Sequence, residues 1–126
     1  MHKIDKSINT GEIIDQIKFN LNINDTAIEN YKKLMKYSVK IFQKNFFKII
    51  KKKYNLKKQK DKFSSYYPRN FVDYKNDNKL INKSNSIKNH NQIRSLIFPP
   101  YQLPIVNGKK VSKSTYKNNK IILKFA

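Results

Sequence analysis

Leu103-Pro104-Ile105-Val106-Asn107-Gly108-Lys109-Lys110 is the stretch that decides how the second half of this chain folds. Asn-Gly is the strongest short hairpin signal, because a type I′ turn needs positive φ at both central residues. Apolar residues precede the pair and two lysines follow it, which predicts a tight corner that presents cations. Pro99-Pro100 and Pro104 keep the approach extended and out of any helix interior. Two strands around Gly108 and a last one over Lys120–Phe125 complete the expected sheet.

Upstream, a different period takes over. Asn24-Asp25-Thr26 offers N-cap chemistry, and Glu29 in the first turn suits the helix dipole. Ile28, Tyr31, Leu34, Met35, Val39, Phe42, Phe46, Ile49 and Ile50 then recur at three- and four-residue spacing, which predicts an amphipathic helix over residues 25–54. Lysines 32, 33, 36, 40, 44, 48 and 51 occupy its other face. The stripe is that of a helix packing on a core rather than lying on a membrane, and its width calls for a partner surface in this chain or in a neighbour. Further short helices are expected over residues 11–21 and 73–83, and residues 51–62 read as a lysine-dense linker. The expected fold class is therefore α+β. A small antiparallel sheet with a short helix fills residues 64–126, and a long amphipathic helix lies in a lysine-rich N-terminal extension, residues 1–63.

The chain has 126 residues and a formal net charge of +20, very unevenly placed. Residues 1–29 hold five acids against three lysines, and no acid follows Asp77. Such a balance points to a polyanion, of which nucleic acid is the commonest. Lysine, asparagine and isoleucine share A/T-rich codons, so their abundance says little residue by residue. The two arginines, Arg69 and Arg94, carry more weight. There is no cysteine, which removes disulfides, zinc knuckles and thiol nucleophiles. No apolar run approaches the roughly 20 residues of a membrane span. The acids of the N-terminus spoil an import signal, so an organelle protein with this codon bias would be one made inside the organelle.

Four short stretches in order resemble one family. Phe71-Val72-Asp73, Arg94-Ser95-Leu96-Ile97-Phe98-Pro99, Val106-Asn107-Gly108-Lys109-Lys110 and Lys120 to Ala126 are similar to signatures of small-subunit ribosomal protein nineteen in its bacterial and organellar form. The resemblance covers residues 66–126. It departs from the family at Arg69-Asn70, where the family has Gly-Pro, and it lacks the family's basic tail. It implies a structural, non-enzymatic constituent of the small-subunit head in a mitochondrial ribosome, with a plastid as the alternative compartment. The implied partners are small-subunit ribosomal RNA and neighbouring head proteins, ribosomal protein thirteen in particular, with no membrane, small-molecule substrate, cofactor or metal. The RNA-binding surface would comprise Arg69, Lys79, Lys83, Arg94, Ser95, Lys109, Lys110, Lys113, Lys117, Lys120 and Lys124. Arg94 can grip a phosphate bidentately, which lysine cannot. Ser95 would either bind the same backbone or close a turn. Phe71, Ile97, Phe98, Val106 and Phe125 are assigned to the core, whereas Tyr66, Tyr67 and Tyr101 could be core or stacking residues.

Nothing in this reading supports catalysis. His2 and His90 stand isolated in expected loops, Asp73 and Asp77 balance charge, and no phosphate-cradling glycine loop or metal-ligand spacing occurs. Two alternatives remain: an accessory subunit of an organellar membrane complex docking through the helix at 25–54, and a non-ribosomal nucleic-acid-binding protein.

Overall fold

At Asn107 and Gly108 the backbone turns with φ of +52° and +76°, as a type I′ turn requires. A computed structural model describes residues 1–7, 9–60, 65–68 and 86–126. The motif Phe71-Val72-Asp73, the helix expected over residues 73–83, and Arg69, Lys79 and Lys83 lie outside the described residues. The elements are α1 (Ala27–Ile50), α2 (Ile87–Ser95), β1 (Ile105–Val106), β2 (Lys109–Lys117) and β3 (Lys120–Phe125). They form a small α+β structure with one three-stranded antiparallel sheet in the order β1-β2-β3.

Asn107-Gly108 joins β1 to β2 with Val106 opposite Lys109. Asn118 and Asn119, at φ +50° and +57°, make the second turn and set Lys117 opposite Lys120. Asparagine tolerates this left-handed conformation better than other non-glycine residues. The register slips between Val111 and Lys113. There the Ser112 hydroxyl donates to the carbonyls of Lys124 and Phe125 at 3.1 and 3.2 Å, which satisfies backbone acceptors beside the irregularity.

Thr26 caps α1 through a capping box. The Glu29 carboxylate accepts from the Thr26 amide at 2.7 Å and hydroxyl at 2.9 Å, and the Glu29 amide reaches the Thr26 hydroxyl at 3.4 Å. The helix ends four residues earlier than its apolar period suggests. Lys52 takes φ +52°, the Lys52 amide donates to the Ile49 carbonyl, and the Lys53 amide donates to the Lys48 carbonyl at 2.8 Å. This is a Schellman closure with a lysine where glycine is usual. Ser86 caps α2 by accepting from the Asn89 amide at 3.3 Å.

The described residues divide into two compact units, Met1–Asn20 with Lys33–Tyr67, and Leu21–Lys32 with Pro68–Ala126. In the second unit Ile93, Ile97 and Val111 are buried, with Leu103, Val106, Ile121 and Leu123 packed on them. Beside this core lies a polar pin. His90 is fully buried, with Nδ1 2.8 Å from the Ser114 hydroxyl and Nε2 2.9 Å from the Ile23 carbonyl. A carbonyl only accepts, so Nε2 carries the hydrogen and Nδ1 accepts from Ser114. His90 is therefore a helical core residue and not the loop residue expected. The segment leading into α1 is sewn down around it. The Tyr116 amide donates to Asn24 Oδ1 at 2.7 Å, Arg94 to the Asp25 carbonyl at 2.8 Å, and the Ile28 amide to the Ile97 carbonyl at 3.2 Å.

In the first unit residues 11–21 are not helical. Ile13 and Lys57 exchange both backbone hydrogen bonds, at 2.8 and 2.9 Å, and this non-local pairing replaces the local helix. It also holds residues 51–60 to the N-terminal segment. Phe19 stacks on Tyr37 at 4.8 Å. Along α1, Met35, Val39, Phe42, Phe46 and Ile50 form an apolar stripe, each 40–61% exposed. Among the described residues no helix is long and apolar enough to cross a membrane.

Ser114→Ala removes the donor to His90 Nδ1 and leaves a buried acceptor unpaired. We expect a loss of about 1–3 kcal/mol in urea unfolding. An unchanged midpoint would show that the pin contributes nothing.

Candidate functional site

The first unit builds a pinched loop from residues 3–12. The Lys3 amide donates to the Glu12 carbonyl at 2.9 Å and closes it. At its neck Gly11 lies so near the other limb that a Cβ would stand 1.8 Å from the Lys3 carbonyl oxygen. No side chain fits there. Gln59 clamps the same neck by donating to the carbonyls of Asn9 and Gly11 at 2.8 and 2.7 Å. On the loop Asp5 accepts from the Thr10 hydroxyl at 2.7 Å and from the Ser7 amide at 3.1 Å. These bonds, Thr10 first, hold the Asp5 carboxyl below its ordinary pKa. His2 Nδ1 lies 2.7 Å from the Lys3 carbonyl, so Nδ1 is the donor.

Just past the loop Asp15 is tied to α1. Its Oδ2 accepts from Asn45 at 2.7 Å and from Lys44 at 2.9 Å. Asn45, buried within the helix face, also donates to the Ile41 carbonyl at 2.8 Å. The Asn45 bond and then the Lys44 bond lower the Asp15 carboxyl from 3.8 to about 2. These residues, with Ile14, Lys48, Lys53, Tyr54 and Asn55, line an open hollow of about 310 Å³. Asp5 and Asp15 are thus held ionised. They can orient neighbours, but they accept a proton poorly near neutral pH.

The surface expected from the sequence is distributed otherwise. On one face of the β2–β3 ribbon Lys113 stands opposite Lys124, and Lys117 opposite Lys120. Lys113 is bonded to Glu29 at 3.1 Å. Lys109 and Lys110 follow the first turn, with the Lys109 ammonium 5.9 Å from the Phe125 ring centre. Arg94 is engaged inside the fold, donating to Asn91 as well as to the Asp25 carbonyl, and the Ser95 hydroxyl donates to the Gln92 carbonyl one turn back. The loop at residues 3–12 did not enter the sequence reading. Its one signal was Gly11, one of only two glycines in the chain.

Comparison with known proteins corrects the ribosomal reading. No protein-family model matches the chain. It is 33% identical, over 99% of its length, to the bifunctional polymyxin resistance protein ArnA of Wigglesworthia glossinidia brevipalpis. Nine-tenths of it superposes at TM-score 0.83 and 45% identity on an N-formyltransferase from Helicobacter canadensis, solved in complex with folinic acid and dTDP-3-aminofucose. WlaRD, a sugar 3N-formyl transferase solved in the presence of dTDP and 5-N-formyl-THF, matches 93% of the chain at TM-score 0.82 and 43% identity. The chain spans 20% of the ArnA protein and 42% of each of these solved chains.

The homologues are formyltransferases and not ribosomal protein nineteen. The structural role in the small-subunit head, the membrane-complex and nucleic-acid alternatives, and the non-enzyme assignment are overturned with it. So are the RNA and protein-thirteen partners: the solved relatives hold small molecules. The physical reason for the error is plain. Asn-Gly-Lys-Lys encodes a tight turn followed by cations, a local solution open to any hairpin, and the other stretches were equally short.

Two predictions follow from the loop. Gly11→Ala forces the Lys3 carbonyl aside, and we expect a loss of about 1–3 kcal/mol with faster hydrogen exchange at the Lys3 amide. Gly108→Ala meets no atom within 4 Å and should leave that amide protected. Asp15 has a folded pKa below its ordinary value, so its contribution is complete above about pH 4 and is lost as pH falls toward about 2. Asp15→Asn should flatten the stability profile across that window, as read by urea midpoints; an unaltered acid limb would show the anchor to be inert.

Proposed function

We propose that this chain is part of an N-formyltransferase that acts on a nucleotide-linked amino sugar and takes its formyl group from a reduced folate. The observation that carries the reading is 45% identity across nine-tenths of the chain to an enzyme solved with both kinds of small molecule. At that identity a shared fold of TM-score 0.83 reflects common descent and not a recurrent architecture.

The reaction balances without redox chemistry. The sugar amine attacks the formyl carbon, a new carbon–nitrogen bond forms, and the bond from that carbon to the folate nitrogen breaks. One proton passes from the amine to the folate nitrogen. Residues 2–15 contribute placement: the Gly11 pinch and the Asp15–Asn45 anchor fix a segment carrying His2, Asp5 and Thr10. Pre-organised geometry of this kind lowers the entropic part of a bimolecular barrier.

The test is direct. The purified protein is supplied with a formylated tetrahydrofolate and dTDP-linked amino sugars, and the sugar nucleotide is followed by mass spectrometry, with calorimetric titration of dTDP and folinic acid in parallel. A formylated sugar nucleotide, or saturable binding of either ligand, supports the reading. Neither product nor binding overturns it.

A further inference from the structure

One aromatic side chain in the second unit is held out to solvent at the tip of a hydrogen-bonded turn. Residues 98–102 form a closed turn. The Phe98 amide donates to the Gln102 carbonyl at 2.9 Å, and the amides of Tyr101 and Gln102 both return to the Phe98 carbonyl, at 3.0 and 2.9 Å. The Gln102 side chain adds a bond to the Leu96 carbonyl at 3.1 Å. Pro99 and Pro100 fix φ in the middle of the turn. Its near end is rooted in the core, since Leu96 and Ile97 are buried.

Tyr101 sits at the tip of this turn, 85% exposed. Its ring lies 6.2 Å from that of Phe98, tilted by 39°. Phe98 is backed in turn by Tyr31, edge-on at 5.5 Å. Phe98 is partly buried between two exposed rings, Tyr31 at 47% and Tyr101, and only Tyr101 is nearly bare. Leaving a large ring in water contributes nothing to folding. Anchoring its backbone with four hydrogen bonds lowers the entropy that a ligand would otherwise have to remove. Packing against Phe98 leaves Tyr101 a free face suited to a flat ring at offset-stacking distance.

We propose that Tyr101, supported by Phe98 and Tyr31, is a stacking platform for the flat heteroaromatic ring of a substrate. The inference rests on the formyltransferase reading, because both ligand kinds named there carry such a ring, a pyrimidine in one and a pteridine in the other. Stacking is indifferent to which edge a ring presents, so the shared chemistry is the π-face.

The experiment uses the full chain as wild type, Tyr101→Ala and Tyr101→Phe. Each is titrated calorimetrically with dTDP and, separately, with folinic acid, and ribose 5-phosphate serves as the ringless control. Tyr101→Ala should weaken one of the two ring-bearing ligands by about 5- to 100-fold, and the ligand affected identifies the ring. Tyr101→Phe keeps the face and should bind within about threefold of wild type. The melting temperature of Tyr101→Ala should not move, because the ring is exposed. If Tyr101→Ala binds both ligands as wild type does, the platform is refuted while the formyltransferase reading stands. Equal losses in Tyr101→Ala and Tyr101→Phe would assign the effect to the hydroxyl and likewise refute stacking. A wild type that binds neither ligand refutes both.

Discussion

The second unit is organised around one buried imidazole. His90 comes from a nine-residue helix with few apolar residues, and such a helix does not persist alone in water. Its two ring nitrogens are satisfied from opposite directions, by Ser114 on β2 and by the Ile23 carbonyl ahead of α1. A buried polar ring with one nitrogen unpaired is costly, so the pin demands that strand, helix and leading segment be placed together. Asn24, Asp25 and Ile28 then find their partners within one turn of chain. Glu29 is shared between the cap of α1 and Lys113 of β2, which extends the same seam. The Phe98 turn that presents Tyr101 departs from the end of α2 and is anchored through Leu96 and Ile97.

The first unit rests on a steric constraint instead. A glycine whose missing Cβ leaves room for a carbonyl lets two limbs of chain close to hydrogen-bonding distance. Gln59 and Lys57 then supply the backbone partners, and Asp15 fixes the outgoing limb to α1 through Asn45. The result is a loop that carries Asp5, Ser7 and Thr10 and is closed by a backbone bond and the Gln59 side chain.

What was legible in the sequence followed local rules. Asn24-Asp25-Thr26 offers N-cap chemistry with Glu29 in the first turn, and the apolar period behind it specifies a helix; the structure makes Thr26 and Glu29 a capping box. Asn107-Gly108 marks a type I′ turn, and the strand over Lys120–Phe125 lies where its composition put it. The features that failed were non-local or broke a local rule. Lys52 occupies a left-handed C-terminal position without glycine, so the end of α1 carried no signal. Helix α2 was hidden because His90 counts as polar by composition and as core by position. The pairing of Ile13 with Lys57 joins residues over forty positions apart, which no window along the chain can see. The candidate site suffered most: its loop owes its shape to Gly11 meeting Lys3 and to Gln59, none of which belongs to a catalytic motif.

Net charge misled for a related reason. A balance of +20 announces an anionic partner but not the partner's size. Lys113 against Lys124 and Lys117 against Lys120 are like charges directly opposed across two strands, an arrangement mildly unfavourable in itself. Solvent screening makes it tolerable, since such pairs on an exposed face interact weakly in salt. A lysine-rich surface attracts small and polymeric anions alike, more strongly as the anion's charge grows, so charge by itself names a sign and not a ligand.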